Sequence, residues 1–364
     1  TLVNSTIANL DNARLTVSGG AQFGTAFSDV SATSYASTGI RWRGTETILS
    51  ADGAGTVLDL SSLTSIADDH HTGSYEQIHV ISATGGGVID LSGVESLSGP
   101  TYEEADRLDV RVGSGGHVML GALRSTTAGT GEVRFDLDVP TYTLASLETA
   151  VNTQFNLADN RTLNLPALTS HDGEGYSLGD GATADAPLLA SLTNAVLSAG
   201  AGATFDAPAL VDISGTVVNA SPAWTLTRGT LTNLDNARLS VAGGLTFDDV
   251  AAASYSSAGL RSRGTYTILS ATGTGSVLDL SSLGSLADNH STGSYEQIHQ
   301  VLATDNGLVD LSGVQDIAGP LYEAGDRLDF IANSGGRIDL SSLQSVTTGN
   351  GKVTFTVTAG GAGG

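Results

Sequence analysis

Two stretches of the chain collect enough titratable side chains to do chemistry. Asp68 to His79 reads DDHHTGSYEQIH, and Asp288 to His299 reads DNHSTGSYEQIH. Asp68, His70, Glu76 and His79 are residue types that ligate Zn2+ or exchange protons with a substrate, and the second stretch keeps them as Asp288, His290, Glu296 and His299. His71 becomes Ser291, and the spacing matches no HExxH signature. The competing role is a long corner loop pinned by Tyr75 and Tyr295. Tyr102-Glu103 and Tyr322-Glu323 repeat the Tyr-Glu pair without histidine, which marks that pair as a packing device.

A second set of acids recurs inside a short apolar motif. Asp59, Asp90, Asp279, Asp310 and Asp339 each lie between two apolar residues, and Asp185 and Asp206 follow Asn164 in the same position. If successive motifs stack in register, these carboxylates approach within several ångströms. At an effective dielectric near 20, two unit charges about 5 Å apart repel by roughly 3 kcal/mol. Bound Ca2+ relieves that repulsion, and so do hydrogen bonds from the serine hydroxyls and amides of the adjacent corner. No EF-hand loop or GGxGxDxUx repeat strengthens the calcium case.

The cations come next. Arg41 and Arg43, with twins Arg261 and Arg263, and Arg107 with its twin Arg327 are the best contacts for a uronic acid or sulfate. Their alternative use is to neutralise acids on the same face. Trp42 can stack on a sugar, but its twin is Ser262. Asp106, Arg107 and Asp109, repeated as Asp326, Arg327 and Asp329, come nearest to the acid-and-base cluster of a polysaccharide-cleaving site. Strand alternation puts Arg107 and Asp109 on one outer face, as a salt-bridged surface strand also requires. His117 and His171 have no partner pattern and read as surface residues. A P-loop, a dinucleotide-binding turn and a cysteine nucleophile are all missing.

The elements that must hold these residues are repeats. Tyr35 to Leu137 returns without a gap as Tyr255 to Val357, 220 residues later. Upstream, Asn9–Leu15 returns as Asn233–Leu239 at a spacing of 224, so the first copy carries four extra residues near 24–27. Beneath this duplication lies a smaller unit: an apolar–x–apolar triplet, two small residues, then Leu or Val. Leu58–Leu63 (LDLSSL), Ile89–Val94 (IDLSGV), Leu163–Leu168 (LNLPAL) and Leu278–Leu283 (LDLSSL) are examples, spaced by 21 to 31 residues within each run. A second strand precedes each glycine corner, as at Thr47–Ala51, His79–Ala83, Leu108–Val112 and Val133–Leu137. Twenty-one residues suit one turn of a β-solenoid with three short strands and three corners. Residues i and i+2 of a strand share a face, so Leu58 and Leu60 point inward, Asp59 outward, and Leu63 back into the core.

The expected fold is therefore all-β: a right-handed parallel β-helix of roughly fourteen coils, at about 26 residues per coil. It runs as one continuous solenoid over 1–364, with a first copy at 1–137, middle coils at 138–224 and a second copy at 225–364. A leucine-rich-repeat horseshoe is the rival, but the asparagine ladder is missing and spacing varies by ten residues. Greek-key sandwiches fit the uneven spacing poorly.

Composition narrows function. The net charge of −23 repels nucleic acid and anionic membrane surfaces. No run of 18 apolar residues offers a membrane span, and without cysteine there is no disulfide framework. The start on Thr1 in mid-pattern and the glycine-rich end suggest a piece of a longer polypeptide, whose other domains are the first expected partners.

The DLSSL and DLSGV units, the Gly-, Asn- and Asp-rich corners and the single lysine, Lys352, resemble the parallel β-helix segments of large secreted bacterial proteins, notably of planctomycetes and similar marine bacteria. That resemblance implies an extracellular or cell-surface segment with a structural, adhesive or spacer role, sometimes beside carbohydrate-active domains, and it carries over no catalytic residue. The alternative expectation is a β-helix that binds or cleaves extracellular polysaccharide, with acidic glycans as ligands. A cation-dependent surface-layer or matrix element, with Ca2+ as its cofactor, is the third.

Overall fold

The computed structural model describes residues 6–23, 30–40, 43–68, 76–260, 264–288 and 296–358. The four extra residues near 24–27, together with Arg41, Trp42, His70, Tyr75, Arg261, Arg263, His290 and Tyr295, lie outside the described residues. Among the described residues there are 35 strands and no helix. Among the described residues the strands pair in parallel, and the fold is an all-β parallel β-helix. The horseshoe alternative fails because, among the described residues, no coil returns through a helix.

The backbone forms two compact units, one of residues 1–189 and 199–208, the other of residues 190–198 and 209–364. In the first unit a long face is built from Leu15–Ser18, Gly44–Asp52, Gln77–Thr84, Arg107–Val112, Glu132–Leu137, Thr149–Leu157 and Ser170–Leu178, each paired with the next. A second face carries the triplets, such as Val57–Asp59, Val88–Asp90 and His117–Met119. A third face holds Ser34–Ala36, Ser65–Ala67, Ser96–Ser98 and Ser125–Thr127. The second unit repeats the arrangement. Its long face runs through Val217–Ala220, Arg238–Ala242, Gly264–Thr272, Gln297–Thr304, Arg327–Asn333 and Lys352–Thr358.

Packing follows from the period of two. Leu58 lies under Ile89 and Ile89 under Val118, all buried, while the aspartates between them face outward. Leu60, Leu91 and Leu120 form the next inward column, and Leu63, Val94 and Leu123 close the corner. One coil cannot bury its own leucines, but neighbours about 4.8 Å above and below can. On the long face of the first unit Phe135, Phe155 and Tyr176 stack with ring centroids 5.2 and 5.3 Å apart. Ile48 and Ile268 occupy the same bulge in the two copies, where pairing skips from Thr47 to Leu49 and from Thr267 to Leu269.

Two corner details explain the sequence. DLSSL alternates with DLSGV because the upper coil passes close over the lower one. A Cβ on Gly93 would lie 2.2 Å from the carbonyl oxygen of Ser61, and one on Gly313 2.1 Å from that of Ser281. The 21-residue coils are short because one left-handed residue turns a corner where longer coils insert a loop. Asn152 does this at φ 46°, a conformation asparagine tolerates better than most residues.

Candidate functional site

The histidine loops resolve into sealed clusters. Asp68 and His79, eleven residues apart, meet at 2.6 Å, with the His79 Nδ1–H donating to the Asp68 carboxylate. The Ser37 hydroxyl donates to the same oxygen at 2.7 Å. The second copy reproduces this with Asp288, His299 (2.6 Å) and Ser257 (2.8 Å). All six residues have no solvent exposure. Serine and histidine both bind the aspartate, so the order is wrong for a hydroxyl activated by imidazole. Asp68 joins the third face to the long face, and its chemistry is spent inside the wall. Glu76 and Glu296 are exposed and separate from these clusters. Glu76 instead lies 3.5 Å from Arg107.

The outward acids stack as expected: Asp59 on Asp90, Asp279 on Asp310, Asp310 on Asp339, and Asn164 on Asp185 on Asp206. Corner amides use them. Ser61, Ser92, Ser281, Ser312 and Ser341 each donate their backbone N–H to the aspartate two residues earlier, at 2.9 to 3.0 Å. Among the described residues no three His, Asp or Glu side chains converge as a metal-ligand set.

Three expectations need correction. Tyr102 and Tyr322 are 57% and 53% exposed, so these two tyrosines are not buried packing anchors. His171 is not a surface residue. It is fully buried, with Nε2–H donating to the Thr153 carbonyl at 2.8 Å and Nδ1 accepting from the Tyr176 hydroxyl at 3.1 Å. Burial pushes its pKa down to about 4, against the smaller opposing effect of the backbone hydrogen bonds. Asp109 shares a face with Arg107 but is buried beneath the arginines around it. His117 is exposed as expected.

The arginines lead to a charged surface on the long face. On the long face of the first unit, Arg107, Asp109 and Arg111 of one coil lie against Glu132, Arg134 and Asp136 of the next. Gln154 and Asn156 of the following coil continue the columns. Arg111 donates to Asp109 at 2.6 Å and approaches Asp136 at 3.6 Å. Arg107 lies 3.5 Å from Asp109 and 3.4 Å from Glu132, which Arg134 also pairs. Asn156 donates to Asp136 at 2.8 Å. Burial raises the Glu132 pKa to about 7, with Arg134 and Arg107 pulling the other way and Glu174 and Asp109 adding to the rise. The arginines thus neutralise acids on their own face.

In the second copy Arg327 and Asp329 remain, 3.4 Å apart. Ile331, Lys352, Thr354 and Thr356 replace Arg111, Glu132, Arg134 and Asp136. The signal that finds this lattice in the sequence is therefore the mismatch between the copies. Arg43 is exposed on a different coil. A cavity of about 460 Å³ adjoins the lattice at Ser82, Thr84, Arg111, Asp136, Asp138 and Asn156. Another, of about 530 Å³, lies in the second unit beside Trp224, where the Arg228 guanidinium stacks 4.1 Å from the Phe247 ring centre.

No protein-family model, curated protein or solved structure matches the chain.

Proposed function

We propose that the chain is a structural and adhesive β-solenoid segment that works at a cell surface or in the extracellular medium and catalyses nothing itself. The observation that carries this reading is the duplication of the sealed Ser37–Asp68–His79 cluster as Ser257–Asp288–His299. Among the described residues, the serine, aspartate and histidine of each cluster have no solvent exposure, and they tie strands together. The outward aspartates are likewise consumed by corner turns.

A scaffold must resist unravelling, and single-molecule stretching of the full chain measures this directly. Coils released one at a time give length increments near 7 nm for a 21-residue coil, at about 3.4 Å per extended residue. Release without steps at a few piconewtons, or turnover of any polysaccharide by the purified chain, would remove the scaffold reading.

A further inference from the structure

The difference between the two copies isolates a binding surface. Along one outer column of the first unit the register reads Ser82, Arg111, Asp136, Asn156. The matching column of the second copy reads Leu302, Ile331, Thr356. Both copies form the same strands in the same register, so the polar column is not needed to build the coil. Asp138, which Arg161 holds at 2.9 and 3.0 Å, is likewise Thr358 in the second copy.

We infer that the groove beside Arg111 and Asp136 binds a neutral oligosaccharide. Three features select that chemistry. Each charge is already matched by its neighbour, Arg111 by Asp109 and Asp136, and Asp138 by Arg161. An anionic ligand would meet the carboxylates of Asp136 and Asp138, and a cationic one the guanidiniums of Arg111 and Arg161. Donors and acceptors alternate from coil to coil about 4.8 Å apart, which suits hydroxyl groups that both give and accept hydrogen bonds. The end of the groove is lined by Gly113 and Ala158, which present little bulk to a sugar ring, over the buried side chains of Val112, Leu137 and Leu157. This assignment replaces the acidic glycan expected from the arginines alone, because those arginines are spent on neighbouring acids.

The inference supplies a ligand for the adhesive part of the proposed function and rests on it. The stretching experiment does not depend on a sugar, so the two can fail separately. The test is calorimetric titration of the full chain with cellohexaose, xylohexaose, maltohexaose and mannohexaose, with hexagalacturonate as the acidic comparison. The decisive variant combines Arg111→Ile with Asp136→Thr, because the second copy already folds with those residues at the equivalent positions. We expect saturable binding of at least one neutral hexasaccharide, a tenfold or greater loss in the double variant while it remains folded with a cooperative unfolding transition, and full retention in Arg337→Ala. Absence of saturable binding by all four neutral sugars at millimolar concentration overturns the proposal. So does equal binding by the double variant, or tighter binding of hexagalacturonate.

Discussion

Two buried side chains of the first unit titrate in opposite directions over nearly the same pH range. His171 has a folded pKa near 4 against an ordinary 6.5. Between those values the unfolded chain takes up a proton that the folded chain refuses, so this residue's contribution is full above pH 6.5 and is lost as pH falls toward 4. Glu132 has a folded pKa near 7 against an ordinary 4.5. Between those values the folded chain keeps a proton that the unfolded chain has released, so its contribution is full below pH 4.5 and is lost as pH rises toward 7. Each effect is on the order of 2–3 kcal/mol, with the Glu132 value at the lower end because solvent and guanidinium groups screen it. They nearly cancel in the native protein. His171→Gln should therefore leave a chain that loses stability as pH rises from 4.5 to 7 relative to the parent, and Glu132→Gln one that gains. Urea unfolding at half-unit pH intervals checks this. Parallel profiles for parent and both variants would mean that neither side chain is buried as described.

At the scale of the element, the triplet and its corner were legible and the third face was not. LDLSSL announces its strand by the period of two and its corner by two small residues, and the in-register aspartates follow directly. Ser65–Ala67 and Ser96–Ser98 carry one buried residue each, Ile66 and Leu97, and a single apolar residue has no period to read. The polar lattice was hidden for another reason: its partners, such as Arg111, Asp136 and Asn156, are neighbours only across coils 20 to 25 residues apart. The burial of His171 was hidden because its place is set by Phe155 and Tyr176, not by its own strand pattern. Two substitutions test what the corners do. Asp310 lies between Asp279 and Asp339, and asparagine keeps the acceptor for the Ser312 amide while removing the charge. Asp310→Asn should raise stability by about 0.5–1 kcal/mol at low salt, with the gain shrinking as salt rises. A loss at every salt concentration would show that a cation or another partner needs the carboxylate. Gly93→Ala should cost about 1–3 kcal/mol, because its methyl group meets a backbone oxygen that cannot rotate away. Denaturation that leaves Gly93→Ala as stable as the parent would show that the coils lie further apart.

At the scale of the molecule, the energetics of stacking are those of nearest neighbours. Each inward leucine touches the coil above and the coil below, and no contact in the apolar column reaches further. A lesion should therefore weaken its own coil and the two adjoining ones and fade beyond them. Leu91 is fully buried, between the corners that hold Leu60 and Leu120. Leu91→Ala should cost about 2–5 kcal/mol locally, since rigid coils on either side prevent the cavity from closing. Hydrogen exchange reads this strand by strand. Protection should fall most at Val57–Asp59, Val88–Asp90 and His117–Met119, and stay near its parental value at Ser170–Leu178, three coils further along the same unit. An equal loss of protection at Ser170–Leu178 would mean that the unit opens as one cooperative block. The duplication would then serve something other than the addition of independent rungs, and a scaffold that yields coil by coil would no longer describe it.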